Sequence, residues 1–104
     1  MEQMRQPYTL GIWNVKPGNE QAFIALWKSL AVWTEEHFSG GGGASLLQDA
    51  SDRQLFISFG TWKDADTINA WRATAEFLSF AATARMLCEK MEPHSMHLVA
   101  SSRD

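Results

Sequence analysis

The sequence predicts an α+β domain in which a four-stranded antiparallel sheet, in the order βαββαβ, carries helices on one face. Three observations predict it. Short runs of alternating apolar residues are interleaved with two segments of helical period. The polar step Asp49-Ala50-Ser51-Asp52 between two of those runs has hairpin-loop composition. The 104 residues of the chain suit one domain of ordinary size and no second.

Tyr8 to Lys16 reads as the first strand. Tyr8, Leu10, Ile12 and Asn14 fall on one face; Thr9, Gly11, Trp13 and Val15 fall on the other. Pro17-Gly18-Asn19 breaks it, and Asn19 is placed to cap a helix with Glu20 in its first turn. That helix runs to about His37, with Phe23, Leu26, Trp27 and Leu30 forming a buried stripe widened by Ile24, Ala31 and Trp33. Ser39 and Gly40–Gly43 end it; four consecutive glycines are costly to order and suggest a mobile connector or flap. A phosphate-cradling loop does not fit, because the run precedes a strand and no Lys-Ser/Thr follows. Ala44–Gln48 and Arg53–Trp62 are the next two strands. Asp64 caps a short helix through Trp71, and Thr74 caps another that carries Phe77, Phe80, Ala81, Ala84, Leu87 and Cys88 to about Lys90. Pro93 then opens a last strand, His94–Ala100. Two βαβ units joined by a hairpin make the ferredoxin-like arrangement. The expected division is an extension at residues 1–7, the domain at 8–100 and a polar tail at 101–104.

Five Trp and six Phe stand beside one Tyr. Each large ring can bury on the order of 150–250 Å², more than a small sheet-and-helix core readily absorbs. Several strands are also apolar on both faces, while helices cover only one. The expected solutions are a second copy packed sheet to sheet as a homodimer, and a cavity for a small apolar or aromatic molecule. The net charge is −3, and the basic residues are scattered from Arg5 to Arg103, which argues against nucleic acid or an anionic membrane as partner. No apolar run approaches the roughly 20 residues of a spanning helix. Met1–Gln6 lacks the layout of an export signal, so a cytoplasmic location is expected. Cys88 stands alone in an apolar stretch and reads as core packing.

Val15-Lys16-Pro17-Gly18, Phe59-Gly60-Thr61-Trp62-Lys63-Asp64, and Asn69-Ala70-Trp71-Arg72 followed by Ala75-Glu76-Phe77 together resemble the dimeric α+β barrel family. That family includes the antibiotic-biosynthesis and haem-degrading monooxygenases. The resemblance runs from about Tyr8 to Ala100 and implies a ligand cavity between sheet and helices. Its haem-degrading members pair the Trp of the broken helix with a His ligand and an Asn on the first strand. Trp71 matches, but those two places hold Ala81 and Gly11, and alanine cannot ligate iron. Its quinone-forming, cofactor-free members combine a Trp ending the third strand with an Asn and a Tyr. Trp62 matches, while Ser58 and Ile68 fill the other places; Ser58 can still bind a polar substrate atom.

The candidate site is an aromatic pocket of Trp13, Trp33, Trp62, Trp71, Phe77 and Phe80 with Ser58 as its polar contact. The alternative for these rings is plain core. His37, one turn beyond Trp33, is the candidate general base, since histidine titrates near neutral pH; the helix dipole alone also accounts for its position. His94 and His97 fall on opposite strand faces, so no metal is expected there. No dinucleotide fingerprint or nucleophile elbow is present, and no bound cofactor is expected. Two functions stay open. One is a cofactor-independent monooxygenase acting on a small aromatic or polycyclic substrate. The other is a non-catalytic dimer that binds an apolar small molecule.

Overall fold

Alternating side chains on the central strand decide the architecture. The computed structural model describes residues 5–38 and 42–103. In chain order it contains β1 (Pro7–Val15), α1 (Glu20–His37), β2 (Ala44–Gln48), β3 (Leu55–Thr61), α2 (Ala65–Arg72), α3 (Ala75–Leu87) and β4 (Cys88–His97). The sheet order is β2-β3-β1-β4, and every pairing is antiparallel. This is the ferredoxin-like α+β fold expected from the sequence.

Gly11, Trp13 and Val15 of β1 are buried beneath the helices, as are Phe56, Ser58 and Gly60 of β3. They meet Phe23 and Leu30 of α1 and Phe80 and Ala84 of α3 in one core. Trp13 packs on Phe23 with ring centroids 5.3 Å apart, Phe23 on Phe56 at 5.4 Å, and Phe80 meets Trp13 edge-on at 5.6 Å. The opposite face presents Tyr8, Leu10, Ile12, Leu55, Ile57 and Phe59, each half-buried, with Leu47 55% and Met96 44% exposed. No element of the described residues packs over them. The expectation of bulk on both faces with helices on one therefore describes the chain.

Local chemistry sets the joints. Gly18, at φ 91°, makes the left-handed turn that a side chain would resist, and its N–H donates to Glu20 Oε1 at 3.0 Å. Asn19 stands at the N-cap of α1 as expected, but its side chain makes no capping hydrogen bond; the Glu20 carboxylate serves the turn instead. Asp64 and Thr74 do cap, accepting from the backbone N–H of Thr67 and Phe77. Both hydrogen bonds from Thr67 hold the Asp64 carboxyl below its ordinary pKa. In the hairpin, Asp49 Oδ2 accepts from the N–H groups of Ser51 (2.9 Å) and Asp52 (2.8 Å).

The boundaries of β1, β3, α3 and β4 differ from the sequence reading, β4 ending at His97 rather than Ala100. β1 begins and ends one residue earlier, and β3 is the shorter Leu55–Thr61 because Arg53 and Gln54 are taken up by the turn at Asp52. The largest difference is at the C-terminal strand. α3 stops at Leu87 rather than near Lys90, and Cys88 opens β4 instead of closing the helix. Lys16 N–H donates to Leu87 O at 2.9 Å, and Cys88 pairs with Val15 across a register shift, so pairing with β1 overrides helical periodicity. Pro93 consequently lies inside the strand, opposite Gly11. β4 is an edge strand, where a missing N–H is tolerated. Cys88 is buried in the core, as expected, and burial pushes its thiol pKa up. The mobile connector or flap expected at Ser39–Gly43 falls in part on residues 39–41, which lie outside the described residues; these resume at Gly42.

Candidate active site

A cavity of about 560 Å³ opens between α1 and the helix-facing side of the sheet. Its floor is the alternating row Thr9, Gly11 and Trp13 of β1 with Ser58 and Gly60 of β3. α1 contributes Trp27, Ala31, Thr34 and Glu35; Trp62, Trp71, Phe77 and Phe80 close the sides. Trp62 packs on Trp71 at 4.9 Å and Trp71 on Phe77 at 4.6 Å. The wall is a continuous aromatic surface.

Three of the four indoles in the lining are anchored by a hydroxyl. Trp13 Nε1 donates to Ser58 Oγ at 3.0 Å, Trp62 Nε1 to Thr9 Oγ1 at 3.0 Å, and Trp71 Nε1 to Thr34 Oγ1 at 2.8 Å. Thr34 Oγ1 donates its own hydrogen bond to Leu30 O at 2.7 Å, so its single donor is used. Ser58 and Thr9 accept from an indole and have no acceptor for their own protons among the described residues. Each is therefore set to donate to a guest. Ser58 is also the one buried polar residue among the described residues.

Gly11 is what allows Trp13 to lie flat on the sheet. A Cβ at Gly11 would stand 2.7 Å from the Trp13 ring. Gly11→Ala should therefore displace the indole, break its bond to Ser58 and cost about 1–3 kcal/mol as an overpacked core site. Urea denaturation with a red shift of tryptophan emission checks this; unchanged stability and emission would contradict it.

Of the residues picked out from sequence, Trp13, Ser58, Trp62, Trp71, Phe77 and Phe80 line this cavity. Trp33 and His37 do not. They share a helix face, as their spacing required, and stack with centroids 4.5 Å apart, but Trp33 borders a shallow groove between α1 and α3. His37 is exposed, its Nδ1 held 2.8 Å from Trp33 O. The titratable groups in the lining are Lys28, Glu35 and Arg72. Sequence reasoning passed over Thr9, Thr34, Glu35 and Arg72. The period of two already put Thr9 beside Trp13, whereas Thr34, Glu35 and Arg72 become visible only once helix orientation is known. Among the described residues no cluster of three or more His, Cys, Asp or Glu could hold a metal, and no helix is long and apolar enough to cross a membrane.

A family profile described as antibiotic biosynthesis monooxygenase matches residues 10–83. No curated protein matches the chain by sequence. Among solved structures, SnoaB of Streptomyces nogalater, a cofactor-independent oxygenase, superposes with a TM-score of 0.85 at 17% identity, covering 97% of this chain and all (100%) of its own. A putative antibiotic biosynthesis monooxygenase of Nitrosomonas europaea gives 0.82 at 17% identity, over 99% of this chain and 97% of its own. PA3566 of Pseudomonas aeruginosa gives 0.79 at 19% identity, over 96% and 100%. At these identities the structural likenesses establish the shared fold.

Proposed function

The chain belongs to the antibiotic biosynthesis monooxygenase family, whose profile spans residues 10–83, and from that premise we propose that it is a cofactor-independent monooxygenase acting on a small aromatic or polycyclic phenol. The observation that carries this reading is the cavity itself: a flat aromatic enclosure with two hydroxyl donors fixed by indoles on its floor. SnoaB, similar in fold, is a cofactor-independent oxygenase, which supports the same chemistry here.

The protein's part in such a reaction is desolvation, orientation and removal of a proton. A phenol held between Trp62, Trp71 and the floor donates its acidic proton to a base, and the electron-rich anion reduces O₂. For a ring CH₂ converted to a carbonyl, one oxygen atom enters the product and the other leaves as water, so no external reductant is needed. Ser58 donates to the substrate oxygen and steadies its negative charge. Glu35, the carboxylate in the lining, takes the base role that the sequence reading gave to His37.

The apolar sheet face suits a second copy of the chain, and we take the working form to be a homodimer packed sheet to sheet. Covering it would also remove the exposed apolar surface that a single copy leaves.

Oxygen uptake with a panel of electron-rich polycyclic phenols, in chelator and without added flavin, tests the function. The expected result is uptake matched one to one by oxidised product, with Glu35→Gln slower by about 10²-fold or more. Saturable binding of the phenols with no oxygen uptake would instead establish the binding-protein function.

A further inference from the structure

The two charged ends of the cavity differ. Glu35 stands beside Gly43, where the chain enters β2; Arg72, at the C-terminal end of α2, reaches across to β4. β2 and β4 are the opposite edges of the sheet, three strand spacings or roughly 14 Å apart. Arg72 lines the cavity, is half-buried, and has no carboxylate partner among the described residues. It donates to two neutral acceptors, Ser95 Oγ at 2.7 Å and His94 O at 3.1 Å, leaving the rest of its five N–H donors without a partner.

The hydroxyls around it are also poised to donate. Ser95 Oγ accepts from Arg72, and Thr9 Oγ1 accepts from Trp62 Nε1. Thr9 and Ser95 are directly paired across β1 and β4, so their side chains are neighbours on the helix-facing side. A guanidinium and the Thr9 hydroxyl, both in the cavity lining, thus meet at one corner with the exposed Ser95 hydroxyl at its rim, and no carboxylate among the described residues pairs with the guanidinium. We propose that this corner is an anion subsite and that the substrate is an aromatic carboxylic acid, its carboxylate held by Arg72, Thr9 and Ser95. Such a molecule lies with its rings along the tryptophan wall and its far end toward Glu35. Burial lowers the Arg72 pKa from its ordinary value, the direction expected of a desolvated cation awaiting a counter-ion. The assignment rests on the proposed function only in using the same cavity.

Quenching of tryptophan fluorescence by 2-naphthoate and by its neutral twin 2-naphthamide, in low salt, separates the two claims. The full chain should bind the carboxylate at least about tenfold more tightly than the amide, as a charge-assisted contact requires. Arg72→Gln should bring the two to parity while leaving naphthamide affinity unchanged. Arg72→Lys should keep part of the preference, and Ser95→Ala, on an exposed edge strand, should reduce it severalfold even if Arg72→Gln fails to fold. Lys16→Gln, an exposed cation outside the cavity lining, should change nothing. Equal affinity of the unaltered chain for both probes, or a preference that survives Arg72→Gln, would overturn the anion subsite while leaving the aromatic cavity intact. If neither probe quenches, the aromatic cavity fails as a binding site and the subsite falls with it.

Discussion

Phe23→Ala is expected to destabilise the domain by about 3–5 kcal/mol, the range for emptying a buried aromatic site. Phe23 is fully buried, with 0% exposure, and together with Leu30 it seats α1 on the sheet. Its ring touches Trp13 of β1 on one side and Phe56 of β3 on the other. Little can collapse into the gap, because Trp13 is tied to Ser58 and braced edge-on by Phe80. Domains of this size have stabilities of about 5–15 kcal/mol, so the variant should lose much of its folded margin. Urea denaturation of both proteins measures it. A loss below about 1 kcal/mol would mean that α1 is held by something other than this aromatic junction.

Ile57→Asp addresses the opposite face of the sheet and should split the proposed homodimer. Ile57 pairs with Ile12 on one side and Leu47 on the other, at the centre of the apolar face away from the helices. In a two-fold sheet-to-sheet pairing each dimer would bury two new carboxylates, each costing several kcal/mol to desolvate. That is at least about 10³-fold in dissociation constant. Within one copy the site is only half-buried, so the subunit itself should stay folded. Sedimentation at micromolar concentration should show twice the 11.7 kDa chain mass for the parent and the single mass for the variant. A parent that sediments as one folded copy would refute the pairing.

The architecture was legible because its signals are local. Alternation at Thr9, Gly11, Trp13 and Val15, the caps at Asp64 and Thr74, and the Asp49–Asp52 turn each act over a few residues. The misplaced junction at Cys88 shows where that stops. Leu87 and Cys88 continue the apolar period of α3, yet pairing of Val15 with Cys88 draws the chain into a strand, and only the position of β1 in space decides it. The site divides the same way. Ser58, Trp13 and the tryptophans of the broken-helix region could be named from strand parity and family resemblance. His37 could not be judged, because its spacing from Trp33 says that they share a face but not which way the face looks. The rotation of α1 turns Trp33 toward the groove with α3 and leaves Trp27, Ala31 and Glu35 over the sheet. Arg72 was hidden for a related reason: its partners, His94 and Ser95, lie on a strand more than twenty residues away.

The most direct measurement is a crystal structure of the chain with an electron-rich polycyclic phenol bound. The account predicts ring density between α1 and the sheet, against Trp62 and Trp71, with a ligand oxygen within hydrogen-bond distance of Ser58 Oγ. Density in the α1–α3 groove beside Trp33 and His37, with the cavity over Gly11 and Ser58 left without ligand, would contradict it.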